Sequence, residues 1–80
     1  MRVIIIPDDG YVSVDGVGYS KLVFDIDPSI HAVQWFDTIG WIERREVNFI
    51  KPPNDEITDM DQFDDVIDVW TAWNNDHGEQ

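Results

Sequence analysis

The chain has no cysteine. That excludes a disulfide, a thiolate nucleophile and any zinc site built on cysteine. Cations are scarce: five Lys and Arg stand against seventeen Asp and Glu, a formal net charge of −12. Direct contact with free nucleic acid or an anionic membrane is not expected, since both need a cationic surface. Long hydrophobic runs are also missing. Val3, Ile4, Ile5 and Ile6 make a short apolar run stopped by Pro7, which is not a signal-peptide pattern. No run can span a bilayer. A soluble chain, intracellular or particle-associated, is the expectation.

Recognisable chemistry is equally sparse. The histidines are His31, at the start of a strand pattern, and His77, in the polar stretch Asn74-Asn75-Asp76-His77-Gly78-Glu79-Gln80. The first reads as structural or surface, the second as part of a disordered tail. Ser13, Ser20 and Ser29 have no context resembling a nucleophile elbow. Asp59 and Asp61 followed by Asp64 and Asp65 invite a calcium reading. They lack the loop glycine and terminal glutamate of an EF-hand and sit inside a helical pattern. Asp25 and Asp27, just before Pro28, are no stronger. No catalytic residue, cofactor or metal ligand is expected, and the chain reads as a non-enzyme.

What is present starts with an uneven charge. Residues 1–53 hold eight acids and five bases, a net of −3, whereas residues 54–80 hold nine acids and no base, a net of −9. A basic partner suits such a surface, although acidity also serves solubility alone. The length of 80 residues allows one domain with a modest core. We place that α+β domain at residues 1–76, with a polar tail at 77–80.

One stretch has helical periodicity. Phe63, Val66, Ile67, Trp70 and Trp73 recur at steps of three and four, which predicts a helix over about residues 59–74 that buries Phe63, Ile67 and Trp70. Thr58 or Asp59 can cap it, and the helix should fray at Asn74 and Asn75. Acids in its first turns are favoured by the helix dipole. Asp61, Asp64, Asp65 and Asp68 project away from the apolar stripe. They form either a plain solvated face or an acidic recognition surface. At ~1.5 Å rise per residue the stripe spans roughly 10 Å, about one carboxylate per 3 Å. That spacing is close to the roughly 3.4 Å per phosphate along one DNA strand.

The remainder reads as an antiparallel sheet of about four to six short strands, with the helix packed on one face. Strands are expected at residues 2–6, 11–14, 17–19, 31–36 and 41–47, with a short edge strand at 55–57. Residues 21–26 fit either a strand or an extended connection. Pro7-Asp8-Asp9-Gly10 and Asp27-Pro28-Ser29 are turns by composition. Asp15-Gly16 is a strong two-residue hairpin signal, and Gly18 suggests a bulge. Asp37-Thr38-Ile39-Gly40 fits a four-residue hairpin loop that would bring Phe36 near Trp41. Alternating Glu43, Arg44, Arg45 and Glu46 suggest a wet face with cross-strand charge pairs, and Phe49-Ile50 could continue the strand. Lys51-Pro52-Pro53-Asn54-Asp55 is a loop.

Four Trp and four Phe exceed what a minimal core of this size requires. Most should fill the sheet–helix interface. Trp41, beside the hairpin, and Trp73, at the helix end, are the candidates for exposed contact residues.

The run Val12-Ser13-Val14-Asp15-Gly16-Val17-Gly18-Tyr19-Ser20, the run Ile30-His31-Ala32-Val33-Gln34-Trp35-Phe36, Gly40-x-Ile42-Glu43, and Phe63-x-x-Val66-Ile67-Asp68-x-Trp70 resemble small proteins of tailed bacteriophages. Some of these are tail-fibre assembly or tail-associated proteins. The similarity covers most of the chain, and its motifs are structural, so it brings no active-site residue with it. This chain departs from the pattern in its apolar hairpin at 37–41 and its more acidic helix.

The resemblance implies a phage accessory protein for tail or tail-fibre assembly, in the host cytoplasm or on the virion. The acidity supports an alternative: a nucleic-acid mimic that inhibits a host nucleic-acid-binding protein. In both, the partner is a protein with a basic or aromatic-accepting surface, either a virion component or a host protein. Asp61, Asp64, Asp65, Asp68, Trp41 and Trp73 are the partner-binding candidates. The sequence names neither the partner nor the oligomeric state.

Overall fold

Val3 and Ile5 are fully buried, while Arg2, Ile4 and Ile6 between and beside them are not. Side chains alternate across a strand, so this pattern marks one sealed and one open sheet face. The computed structural model describes residues 1–77 and contains six strands and one α-helix. The strands are β1 (Arg2–Ile6), β2 (Tyr11–Val14), β3 (Val17–Tyr19), β4 (Ile30–Phe36), β5 (Ile39–Arg44) and β6 (Asp55–Ile57). The helix, α1, runs over Asp64–His77. The strands form one antiparallel sheet in the order β3-β2-β1-β4-β5-β6, the α+β architecture expected.

Val12 and Val14 of β2, Val33 and Trp35 of β4, and Ile42 of β5 join Val3 and Ile5 on the sealed face. Phe63 and Val66 close over them, each 2 % exposed. Burying each such side chain contributes about 1.5–3 kcal/mol. Ile67 and Trp70, expected to be buried, lie on the rim of this core and are only partly covered. Residues 20–29 carry the chain from edge strand β3 to β4. They form an extended crossover with no strand, anchored by buried Leu22 and flanked by Phe24 and Ile26.

The helix start departs from expectation. Asp61–Phe63 is a 3-10 turn, and the α-helix begins only at Asp64. Asp59 serves the 3-10 turn: its carboxylate accepts from the Asp61 N–H at 3.1 Å. The far end also differs. The helix continues past Asn74 and Asn75 through His77, whose ring stacks on Trp73 with centroids 3.9 Å apart. Residues 78–80 of the expected tail lie outside the described residues. The same end of the helix docks on the edge strand. Trp70 Nε1 donates to the Val17 carbonyl at 2.9 Å, and the Tyr19 hydroxyl donates to Asn74 Oδ1 at 2.7 Å.

Two glycines explain two departures in the sheet. Gly40 is not in a loop: the hairpin is tight, with Asp37 at φ 53° and β5 already begun at Ile39. Gly40 pairs with Trp35, and a Cβ there would stand 2.8 Å from the indole and 2.5 Å from the Gln34 carbonyl oxygen. Gly18 marks no bulge, since β2 and β3 pair in regular register. It leaves room for the Tyr11 ring, whose hydroxyl a Cβ there would overlap. The irregularity falls at His31 instead, between the paired residues Ile30 and Ala32. Asp15 and Gly16 form the expected turn, both with positive φ.

Phe63→Ala should cost about 3–5 kcal/mol of stability, the range for truncating a buried aromatic. Trp70→Ala should cost less, because Trp70 is only partly covered. Chemical denaturation of the two variants checks this order.

Candidate functional site

Charge divides the surface first. Arg45 makes a bidentate pair with Asp8, at 2.7 and 3.0 Å, and its Nε donates to the Pro28 carbonyl. Arg44 reaches Asp55 at 2.8 Å and donates to the Ser29 hydroxyl at 2.7 Å. Lys51 lies 3.5 Å from Glu43. The cations therefore staple turns and strand ends. The expected cross-strand pairing exists between β5 and β6, as Arg44 with Asp55. The wet face does not extend to residue 47, because β5 ends at Arg44.

No cation comes within ion-pair distance of Asp61, Asp64, Asp65 or Asp68 among the described residues. All four are exposed, Asp61 on the 3-10 turn and the others on α1. Asp76, exposed on the last turn, lies eleven residues beyond Asp65 and so on nearly the same helical face. The uncompensated stripe is thus longer than the sequence pattern suggested.

Trp41 lies elsewhere. It neighbours buried Ile42, so its side chain projects from the opposite sheet face, away from the helix. It is 37 % exposed and meets Phe36 edge-on with centroids 6.4 Å apart. The Arg2 guanidinium lies 4.9 Å above the Phe36 ring. Trp73 is 41 % exposed on α1, between Tyr19 and His77. The fold therefore gathers the four aspartates, places Trp73 on the same helix and puts Trp41 on the far layer.

One apolar feature escaped the sequence pattern. Residues 47–50 do not extend a strand. Val47 and Ile50 exchange backbone hydrogen bonds at 2.9 Å in both directions, closing a two-residue turn over Asn48 and Phe49. Both turn residues have positive φ, 52° and 65°. Asn tolerates that conformation; Phe rarely adopts it. Phe49 is 97 % exposed, with Val47 and Ile50 also well exposed. The available signal was Asn48 between apolar residues, a turn-former that the strand reading passed over.

Two hollows also mark the surface. One, of about 430 Å³, is polar and lies beside His31, Glu43, Arg45 and Lys51. His31 sits between carboxylates there, 4.0 Å from Asp8 and 3.8 Å from Glu43. The other, of about 370 Å³, lies between the crossover and the start of α1. Buried Ile30, Phe63 and Val66 contribute to its lining, together with Asp25, Asp27 and Asp65. Among the described residues, no three His, Asp or Glu side chains converge to hold a metal ion, and no helix is long and apolar enough to cross a membrane.

Comparison with known proteins returns no matching family model, no matching curated protein and no matching solved structure. Function has to be read from these surfaces.

The paired carboxylates give a pH dependence. The Arg45 guanidinium holds the Asp8 carboxyl below the usual carboxylate range. The Ser29 backbone N–H, then its hydroxyl, does the same for Asp27. A lowered folded-state value stabilises the fold above the ordinary carboxylate value of about 4, and this is lost as pH falls through the folded value. Asp8→Asn should therefore shrink the gap between stability at neutral pH and at pH about 3, relative to the unaltered chain. Denaturation at both pH values measures it.

Proposed function

We propose that the chain is a non-catalytic protein–protein interaction module, and that its role is as a tail or tail-fibre assembly accessory of a tailed phage. It would act in the host cytoplasm or on the virion. The observation that carries the interaction reading is the set of large apolar side chains outside the core. Phe36 and Trp41 sit together on the open sheet face, and Phe49 stands free on its turn. Clustered exposed aromatics at this density mark contact surfaces, with Trp the residue most often carrying the binding energy. The phage context is supported by the resemblance of the hairpin, central-strand and helix motifs. It does not follow from the exposed aromatics.

A second reading keeps a specific observation behind it. The Asp61, Asp64, Asp65 and Asp68 carboxylates have no internal cation, so a basic groove could take them in the manner of phosphates. As a mimic, the chain would inhibit a host protein that binds nucleic acid. The stripe is short for that purpose, even with Asp76 added: Asp61 to Asp76 covers roughly 22 Å at ~1.5 Å per residue.

The two readings predict opposite mutational patterns on a partner recovered by co-purification. For the assembly accessory, Trp41→Ala should weaken binding by about 2 kcal/mol or more, roughly thirtyfold. Replacing Asp61, Asp64, Asp65 and Asp68 together by Asn should leave that binding within a few-fold. For the mimic, the Asn variant should lose binding and the original complex should weaken steeply with salt. An interaction indifferent to both sets of changes would contradict both readings.

A further inference from the structure

Phe49 is disfavoured twice over within its own chain. A turn with positive φ at both central residues favours glycine at its second position, and a side chain there is strained. The ring gains nothing in return, since it is 97 % exposed. A strained, solvated phenyl ring makes sense when its compensation lies in another molecule.

The surface of the chain also holds a hollow of suitable size. The cleft between the crossover and the start of α1 has a volume of about 370 Å³ and buried Ile30, Phe63 and Val66 in its lining. Partly buried Ile26 adds apolar surface to it, beside the polar side chains of Gln62, Asp25, Asp27 and Asp65. The rim is acidic: Asp25 and Asp65 border the cleft, and neither has a cationic partner among the described residues. Two residues beyond Phe49 stands Lys51, whose side chain is 57 % exposed and held only at 3.5 Å from Glu43. Ring and cation follow each other on the turn as apolar lining and carboxylates do in the cleft.

Both features occupy one end of the sheet. Ile30 pairs with Arg44 where β4 begins and β5 ends. The Arg45 N–H donates to the Ser29 carbonyl at 2.9 Å, tying the root of the 47–50 turn to the segment beside the cleft. A two-fold axis near that end lets each of two copies give its turn and receive its partner's, the isologous arrangement commonest among dimers.

We propose that the chain forms a reciprocal dimer in which Phe49 of each copy enters the Ile26, Ile30, Phe63 and Val66 cleft of the other, with Lys51 set against Asp65 and Asp25. The net charge of −12 on each copy opposes association. The dimer is therefore weak, populated at high micromolar to millimolar concentration. It takes Phe49 from the surface left to an assembly partner, so that reading then rests on Phe36 and Trp41 and fails or stands by its own test.

Sedimentation of the full chain over a concentration series tests it. The mass should rise from 9.3 kDa toward twice that value. Phe49→Gly should stay monomeric at every concentration while melting no lower than the original chain, because glycine relieves the turn. Charge exchange separates this contact from any other. Lys51→Glu and Asp65→Lys should each be monomeric alone, folded by circular dichroism, and should pair when mixed, since both contacts of the mixed dimer regain opposite charges. A monomer at all concentrations would overturn the proposal; a foreign partner for Phe49, or a turn folded back on its own cleft, gives that outcome. A dimer that survives Phe49→Gly, or mixed charge variants that stay apart, would overturn it equally.

Discussion

Everything in this structure depends on one helix having to seal one sheet. Phe63 and Val66 close over Val3, Ile5, Val12 and Val33, and no second helix is present among the described residues to do the same on the other side. A chain of this length buries only a modest share of its apolar surface, so the layer it seals carries the stability. The crossover at 20–29 helps by adding Leu22 to that core and packing Phe24 and Ile26 against it. The opposite face, with Phe36 and Trp41, is left half covered. Exposed aromatic surface arises here as the geometric remainder of a two-layer fold.

The same economy governs charge. Arg44 and Arg45 stand where β5 ends and Lys51 in the loop after it; their acids come from turns, as Asp8 and Asp27, and from strands, as Glu43 and Asp55. The helix receives none of them. Its first-turn aspartates are offset in part by the helix dipole, which falls off within about one turn, so Asp68 gains little from it and Asp76, in the last turn, meets its negative end. Mutual repulsion along that face is a standing cost that the core must outweigh. An acidic pole, an aromatic sheet face and a strained apolar turn are consequently three separate surfaces.

Much of the sheet was legible because alternation and turn chemistry agreed. Residues 2–6, 11–14 and 17–19 emerge as strands where expected, and Asp15-Gly16 is the turn between the last two. Legibility failed where a residue's role depends on a neighbour across the sheet. Gly40 looked like a loop glycine because its true reason, the Trp35 indole, is on another strand. Gly18 looked like a bulge for the same reason, with Tyr11 as the hidden neighbour. Periodicity found the helix but misjudged which members are sealed, since Val66 takes the depth assigned to Ile67 and Trp70. The aspartates of the candidate site were legible as one helical face. Trp41 was not legible as belonging to the far layer, because alternation separates two faces without saying which the helix will cover. Phe49 was invisible, since nothing in its type announces a left-handed backbone.

Native-state hydrogen exchange tests the sealing of one face by one helix most directly. The account predicts that amides of β1, β4 and the first two turns of α1 exchange with one common free energy, the global one, because none can open without exposing the shared core. Amides of the 47–50 turn and of edge strand β6 should exchange far faster. If the α1 amides exchange at a much lower free energy while β1 and β4 stay protected, the sheet is stable without the helix and the account is wrong.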